Sequence, residues 1–235
     1  LITYLKDDIE SINAIDEYTE IFMQKQLEIL DKEIDLLQQD KSTRGIMLMG
    51  SVAYGTATDD SDLDILVLCD KDEFISKYVE NILVEIHFQK LDTMRKKLES
   101  NPMEVYKYLY SKIIVDDGEL IELSAKAHEL YNNYKTPDKE KKNIIYWLSA
   151  TKSKLLSAIK SNDNVKISYL VSTNTWKVLE GVWAMNNKPI PPSSLVFHTH
   201  NVLSLPLDNW FEGLFVENIL SRANTMIKII DIICK

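Results

Sequence analysis

Apolar positions recur at helical spacing from the start of the chain. Ile9, Ile12, Ile15, Tyr18, Phe22, Leu27, Leu30, Ile34 and Leu37 stand among acids and glutamines, which predicts one or two amphipathic helices over residues 8 to 40. The period then changes. "RGIMLMG" (44 to 50) is a short apolar run closed by glycine, and "DLDILVLC" (62 to 69) is a second, apolar on both faces. "NILVEIHFQ" (81 to 89) is a third, interrupted by Glu85. All three have strand length, and a strand apolar on both faces belongs in the middle of a sheet. Between the first two, "SVAYGTA" (51 to 57) reads as a helical turn with Ser51 placed to cap it, and "DDSD" as a turn. Residues 91 to 133 return to helical spacing, with breaks near Asn101-Pro102 and Asp117-Gly118.

The polar stretch "YKTPDKEKKN" (134 to 143) marks a boundary, so a first domain is expected over residues 1–136 and a second over 137–235. Beyond it the pattern is helical throughout. Helices are expected at about 138 to 160, 165 to 186 and 208 to 234, with the Pro-rich connection "NNKPIPPSS" after the second. His198 and His200 flank Thr199 in what reads as a loop, without a nearby third metal ligand. The fold class is therefore α+β, a small mixed-sheet domain with N-terminal helices followed by an all-α helical bundle.

Charge sharpens this division. Residues 1–136 hold 15 basic against 28 acidic side chains, whereas residues 137–235 hold 12 basic against 8 acidic. An acidic first half argues against broad docking on nucleic acid, and it is compatible with a divalent metal or a cationic substrate. No run approaches the roughly 20 apolar residues of a membrane span, and "LITYLKDDIE" turns acidic too soon for a secretory signal. Cys69 and Cys234 have no metal-binding spacing and read as reduced packing residues, which points to a cytoplasmic protein.

The candidate chemistry lies in "MGSVAYGTATDDSDLDILVL" (49 to 68). Asp62 and Asp64 are two apart, so in a strand both point to the same side and repel. A divalent cation relieves the repulsion, because Mg²⁺ takes hard oxygen ligands and shares them with substrate phosphates. Glu85, on a strand that can lie alongside, is a third oxygen ligand. Gly50 lets the backbone approach a phosphate, and Ser51 adds a hydroxyl at the start of the next turn. Asp59 and Asp60 read as surface turn residues. His87 shares a strand face with Glu85, either orienting a carboxylate, meeting a triphosphate or simply packing.

"GSVAYGTATDDSDLDILV" resembles the signature of the DNA polymerase β-type nucleotidyltransferase superfamily, matching at Gly50, Ser51, Gly55, Ser61, Asp62 and Asp64, with Glu85 as third carboxylate. That resemblance implies Mg²⁺ on Asp62, Asp64 and Glu85, ATP or another NTP bound through Gly50, Ser51 and Ser61, and transfer of a nucleoside monophosphate to a hydroxyl. The layout is similar to kanamycin nucleotidyltransferase and related aminoglycoside adenylyltransferases. This implies a catalytic domain over 1–136, a helical substrate or dimerisation domain over 137–235, a small hydroxylated acceptor, antibiotic resistance as the setting and a plausible homodimer. One departure matters. The stretch "IIYWLSATKSKLL" (144 to 156) lacks the glutamate that serves as general base in the kanamycin enzyme. Glu85 can double as base; Glu180, sharing a helix face with Trp176 and Trp183, is either a substitute or a partner of Lys177. The alternative is a regulatory, antitoxin-like nucleotidyltransferase that modifies or binds a protein partner. Arg222 has no following histidine, which argues against an RNase in the helical half.

Overall fold

The computed structural model describes residues 17–235, with side chains from residue 24 onward. The chain forms two compact units, one ending at Glu129 and one running from Leu130 to Lys235. The fold is α+β, a mixed sheet with helices followed by further helices.

The first described element of the first unit is α1 (Glu17–Leu37); residues 8 to 16 of the expected helical stretch lie outside the described residues. Five strands follow: β1 (Gly45–Met49), β2 (Leu63–Leu68), β3 (Glu73–Val79), β4 (Ile82–Gln89) and β5 (Lys112–Val115). They lie in the order β3-β4-β2-β1-β5, with β2 and β4 parallel and the other neighbours antiparallel. The helices of this unit are completed by α2 (Gly50–Tyr54), α3 (Leu91–Ser100), α4 (Val105–Leu109) and α5 (Glu119–Asn133).

Strand β2 is central, and its apolar side chains are buried on both faces, as its composition requires. One face of the sheet packs against α1, where Ile29, Leu30, Ile34 and Leu37 join Ile46, Leu48, Leu63, Ile65, Val67, Val84 and Ile86 in a single core. The alternation of side chains sends Asp64, Glu85 and His87 to the opposite face. Gly45 lies on that second face too. A Cβ there would sit 2.6 Å from Leu120 Cδ1, so α5 approaches the sheet where the side chain is missing.

Two strands depart from the sequence expectation. Strand β3 is an edge strand whose Phe74 and Tyr78 are exposed, so no apolar face reports it. It forms because Glu80 and Asn81 adopt positive φ (51° and 68°) and turn the chain directly into β4. Strand β5 replaces part of the helical stretch expected over 91 to 133. Four residues carry no readable period, and pairing with β1 decides their state.

In the second unit α6 (Asp138–Lys160) and α7 (Asn164–Met185) match the expected helices closely and form an antiparallel pair. The Asp163 carboxylate caps α7 by accepting from the Lys166 N–H at 3.0 Å. The helix expected over 208 to 234 is split into α9 (Trp210–Phe215) and α10 (Ile219–Ile233), after α8 (Ser193–Thr199). Asn218 causes the split, since its side chain accepts from the N–H groups of Leu220 and Ser221 and restarts the helix. His198 lies within α8 and His200 opens a 3₁₀ turn, rather than both lying in a loop. His200 stacks on Phe211 at 3.9 Å, a packing role.

The core of this unit gathers Leu148, Leu155, Val171, Val178, Val182, Trp183, Ala223, Met226 and Ile230. Trp183 is the largest fully buried side chain and meets Trp210 edge-on. Trp183→Ala is expected to lower stability by about 3–5 kcal/mol, the cost of an aromatic-sized cavity, as read by urea denaturation followed by circular dichroism.

Candidate active site

The sheet register brings two of the three predicted carboxylates together. In the parallel pairing of β2 and β4, Asp64 stands directly opposite Glu85. His87 follows two residues along β4 on the same face. Ligand atoms of Asp64, Glu85 and His87 all lie within 4.8 Å of one another. Asp62 precedes β2 and stands outside this set, yet its charge acts on Asp64. Burial, then the charges of Asp62 and Glu85, push the Asp64 carboxyl up to about 6. His87 moves the other way. Its burial and the nearby cations Lys107 and Lys97 hold its pKa down against the pull of Glu85, which favours a neutral ring with a free lone pair.

Gly50 sits against this cluster. It has φ +69°, and a Cβ on it would lie 2.1 Å from Asp64 Oδ2, so no other residue fits between β1 and that carboxylate. Ser51 does not cap α2 as the sequence suggests. Met49 occupies the cap position without a side-chain bond, and Ser51 lies inside the helix. Its Oγ is buried and has no hydrogen-bond partner, a costly state that a bound phosphate oxygen would relieve. Gly55, at φ +75°, ends the same short helix in the left-handed region. Ser61 Oγ accepts from the Thr58 N–H at 2.8 Å, closing the turn that leads to Asp62. Asp59 and Asp60 are exposed turn residues, as expected.

Aromatic side chains line the same region. Burial and the Asp64 charge raise the pKa of Tyr54. The Tyr54 ring meets Tyr110 edge-on at 6.0 Å, and Tyr110 stacks on the buried Tyr106. Glu180, by contrast, is ion-paired with Lys177 one turn away, and Trp183 beside it is core. Its engagement with Lys177 resolves the sequence alternatives in favour of pairing. His87, whose two-residue step from Glu85 was the available signal, lies near both Asp64 and Glu85 and also packs on Phe74, with ring centroids 4.8 Å apart.

A half-buried carboxylate cluster beside a glycine-closed turn with an unpartnered serine hydroxyl suits a divalent cation and phosphate groups. The donor set of carboxylate oxygens, with a neutral imidazole, fits such an ion. The chain belongs to the nucleotidyltransferase domain family, whose model matches residues 30–151, and it is a nucleotidyltransferase enzyme. A Methanocaldococcus jannaschii protein named as a candidate protein adenylyltransferase is 38% identical over 79 residues, which are 32% of this chain and 79% of that protein. A solved nucleotidyltransferase-like protein from Exiguobacterium sibiricum aligns with 83% of this chain and 70% of its own, at 12% identity and a TM-score of 0.37. A likeness that slight carries no argument. Among the described residues no helix is long and apolar enough to cross a membrane.

Two outcomes follow from this geometry. The folded-state pKa of Asp64 is raised above its ordinary value of 3.8, so its stabilising contribution is complete below about pH 4 and is lost as pH rises through about 6. Asp64→Asn should therefore stabilise the metal-free protein at pH 8 by about 1–2 kcal/mol, after discounting for partial exposure, and by little at pH 4. Denaturation curves at the two pH values check this. Gly50→Ala should cost about 1–2 kcal/mol in backbone strain and displace Asp64, read as lost stability together with weakened divalent-cation binding in calorimetric titration.

Proposed function

We propose that this enzyme moves a nucleoside monophosphate, AMP from ATP in the first instance, onto a hydroxyl group. The observation that carries the reading is the register pairing of Asp64 with Glu85, beside Gly50 and the unpartnered Ser51 hydroxyl. In this reading Asp62, Asp64 and Glu85 hold Mg²⁺, with His87 alongside, and Gly50, Ser51 and Ser61 receive the phosphates. Bound Mg²⁺ would neutralise charge on the triphosphate and favour the leaving group. The acceptor oxygen forms a bond to the α-phosphorus, the bond from that phosphorus to the bridging oxygen breaks, and pyrophosphate leaves. The acceptor's proton passes to Glu85 as base.

A protein hydroxyl is the acceptor we favour, because the curated relative is named for transfer to protein. A small cationic polyol of the aminoglycoside kind is the second reading. A polar cavity of about 290 Å³ in the helical unit, lined by Tyr134, Asn143, Glu140, Glu180, Lys177 and Lys188, has room for hydroxyl-bearing groups, though its charges balance and do not by themselves select a cation. Residues 1–136 then act as the catalytic domain, while residues 137–235 bind the acceptor and pair two subunits.

The test is an incubation with Mg²⁺, each NTP and either the protein with a host lysate or a panel of hydroxylated antibiotics, followed by mass spectrometry. An AMP adduct is expected, with Asp62→Asn and Asp64→Asn each reducing it by at least about 100-fold. An adduct on protein supports the first acceptor and one on a small molecule the second. Full activity in both variants overturns the site.

A further inference from the structure

Of the carboxylates in the cluster region, two are held by the sheet and one is not. Asp64 and Glu85 lie in the paired ladder of β2 and β4, whereas β2 begins only at Leu63, so Asp62 has no strand pairing to fix it. Its position depends on the loop between α2 and β2. That loop is closed internally, with the Ser61 N–H donating to the Thr58 carbonyl at 3.0 Å and the Thr58 N–H to Ser61 Oγ at 2.8 Å. What ties it to the rest of the unit is a side chain from elsewhere in the sequence. Gln26, on α1, is completely buried, and its Nε2 donates to the carbonyls of Thr58 (3.0 Å), Ser61 (3.4 Å) and Asp59 (3.5 Å).

This arrangement is not what core packing alone would select. Burying a primary amide is unfavourable unless its hydrogen bonds are made, and neighbouring Ile29 and Leu30 already supply apolar burial. Three backbone carbonyls converging on one point repel one another unless a donor stands between them, and an amide NH₂ offers two protons to share. The Gln26 Oε1 has no partner, so all the hydrogen bonding of this side chain is done by its donor end. Gln26 lies before the stretch that the family model matches, residues 30–151.

We propose that Gln26 is a positioning residue, clamping the Thr58–Ser61 loop and so keeping Asp62, which lies outside the Asp64–Glu85–His87 set, near enough to Asp64 to join it on a divalent cation. This rests on the reading that those carboxylates bind the cation. It makes α1 part of the working site, though α1 packs on the opposite face of the sheet.

The test uses the full chain with Mn²⁺ as probe, its free concentration read by electron paramagnetic resonance, together with hydrogen exchange at the Thr58 and Ser61 amides. Gln26→Met keeps size and burial but removes the donor, and Gln26→Asn keeps an amide that falls short. Either folded variant should weaken Mn²⁺ binding by about 5-fold or more and speed exchange at those two amides at least 10-fold. Ile29→Ala, a packing loss on the same helix, should lower overall stability without changing Mn²⁺ affinity. Unchanged Mn²⁺ affinity or unchanged exchange in the Gln26 variants overturns the proposal, as does an equal loss of affinity in Ile29→Ala. If the wild-type chain binds no Mn²⁺, the functional reading fails and the cation-sharing role of Gln26 fails with it. The exchange result still separates that failure from a loop that Gln26 never held.

Discussion

Repulsion between carboxylates is the constraint around which the first unit is organised. The parallel register of β2 and β4 sets Asp64 beside Glu85 in a half-buried position, and Asp62 adds a third negative charge. Burial first, and then the charges of Asp62 and Glu85, push the Asp64 carboxyl up to about 6, so without a counter-charge the cluster favours holding a proton more than a free carboxylate would. A cation would perform the same neutralisation with more ligands, so an arrangement that costs stability when empty suits the ion that the proposed reaction calls for. The surrounding apolar sheet tolerates this cost because β2 is buried by well-packed residues on its other positions.

The turn after β1 depends on the same cluster. Gly50 is confined by Asp64 on one side and by its own positive φ on the other, so the path from β1 into α2 is set at atomic distance from the carboxylate. That path leaves the Ser51 hydroxyl buried without a partner, inside the short helix rather than at its cap. On the proposed reading, cation and phosphate would meet at this one backbone turn. Such coupling is what nucleotidyl transfer needs, since the phosphate chain and the ion must be bound in a fixed relation.

The helical unit works by different physics. Its stability comes from an apolar core around Trp183 and from caps such as Asp163 and Asn218, with no charged cluster at its centre. The cavity beside Glu180 is polar and neutral in balance, because Lys177 and Lys188 line it with Glu140 and Glu180.

Much of this was determined by the chain's own pattern. The two-sided apolarity of residues 63 to 68, the Gly50-Ser51 step, Asp62 and Asp64, and the long helices α6 and α7 follow from local residue chemistry, which acts over a few positions and can be read there. Glu85 was legible as an acid interrupting an apolar strand. Other features were settled only by distant pairing. The exposed strand β3 and the four-residue β5 take their state from β4 and β1. His87 joins the carboxylates because a parallel register aligns β4 with β2, and Gln26 reaches a loop more than thirty residues away. Periodicity records which face a residue prefers. Which residue stands across from it is decided by the tertiary fold, and the site is made of those crossings.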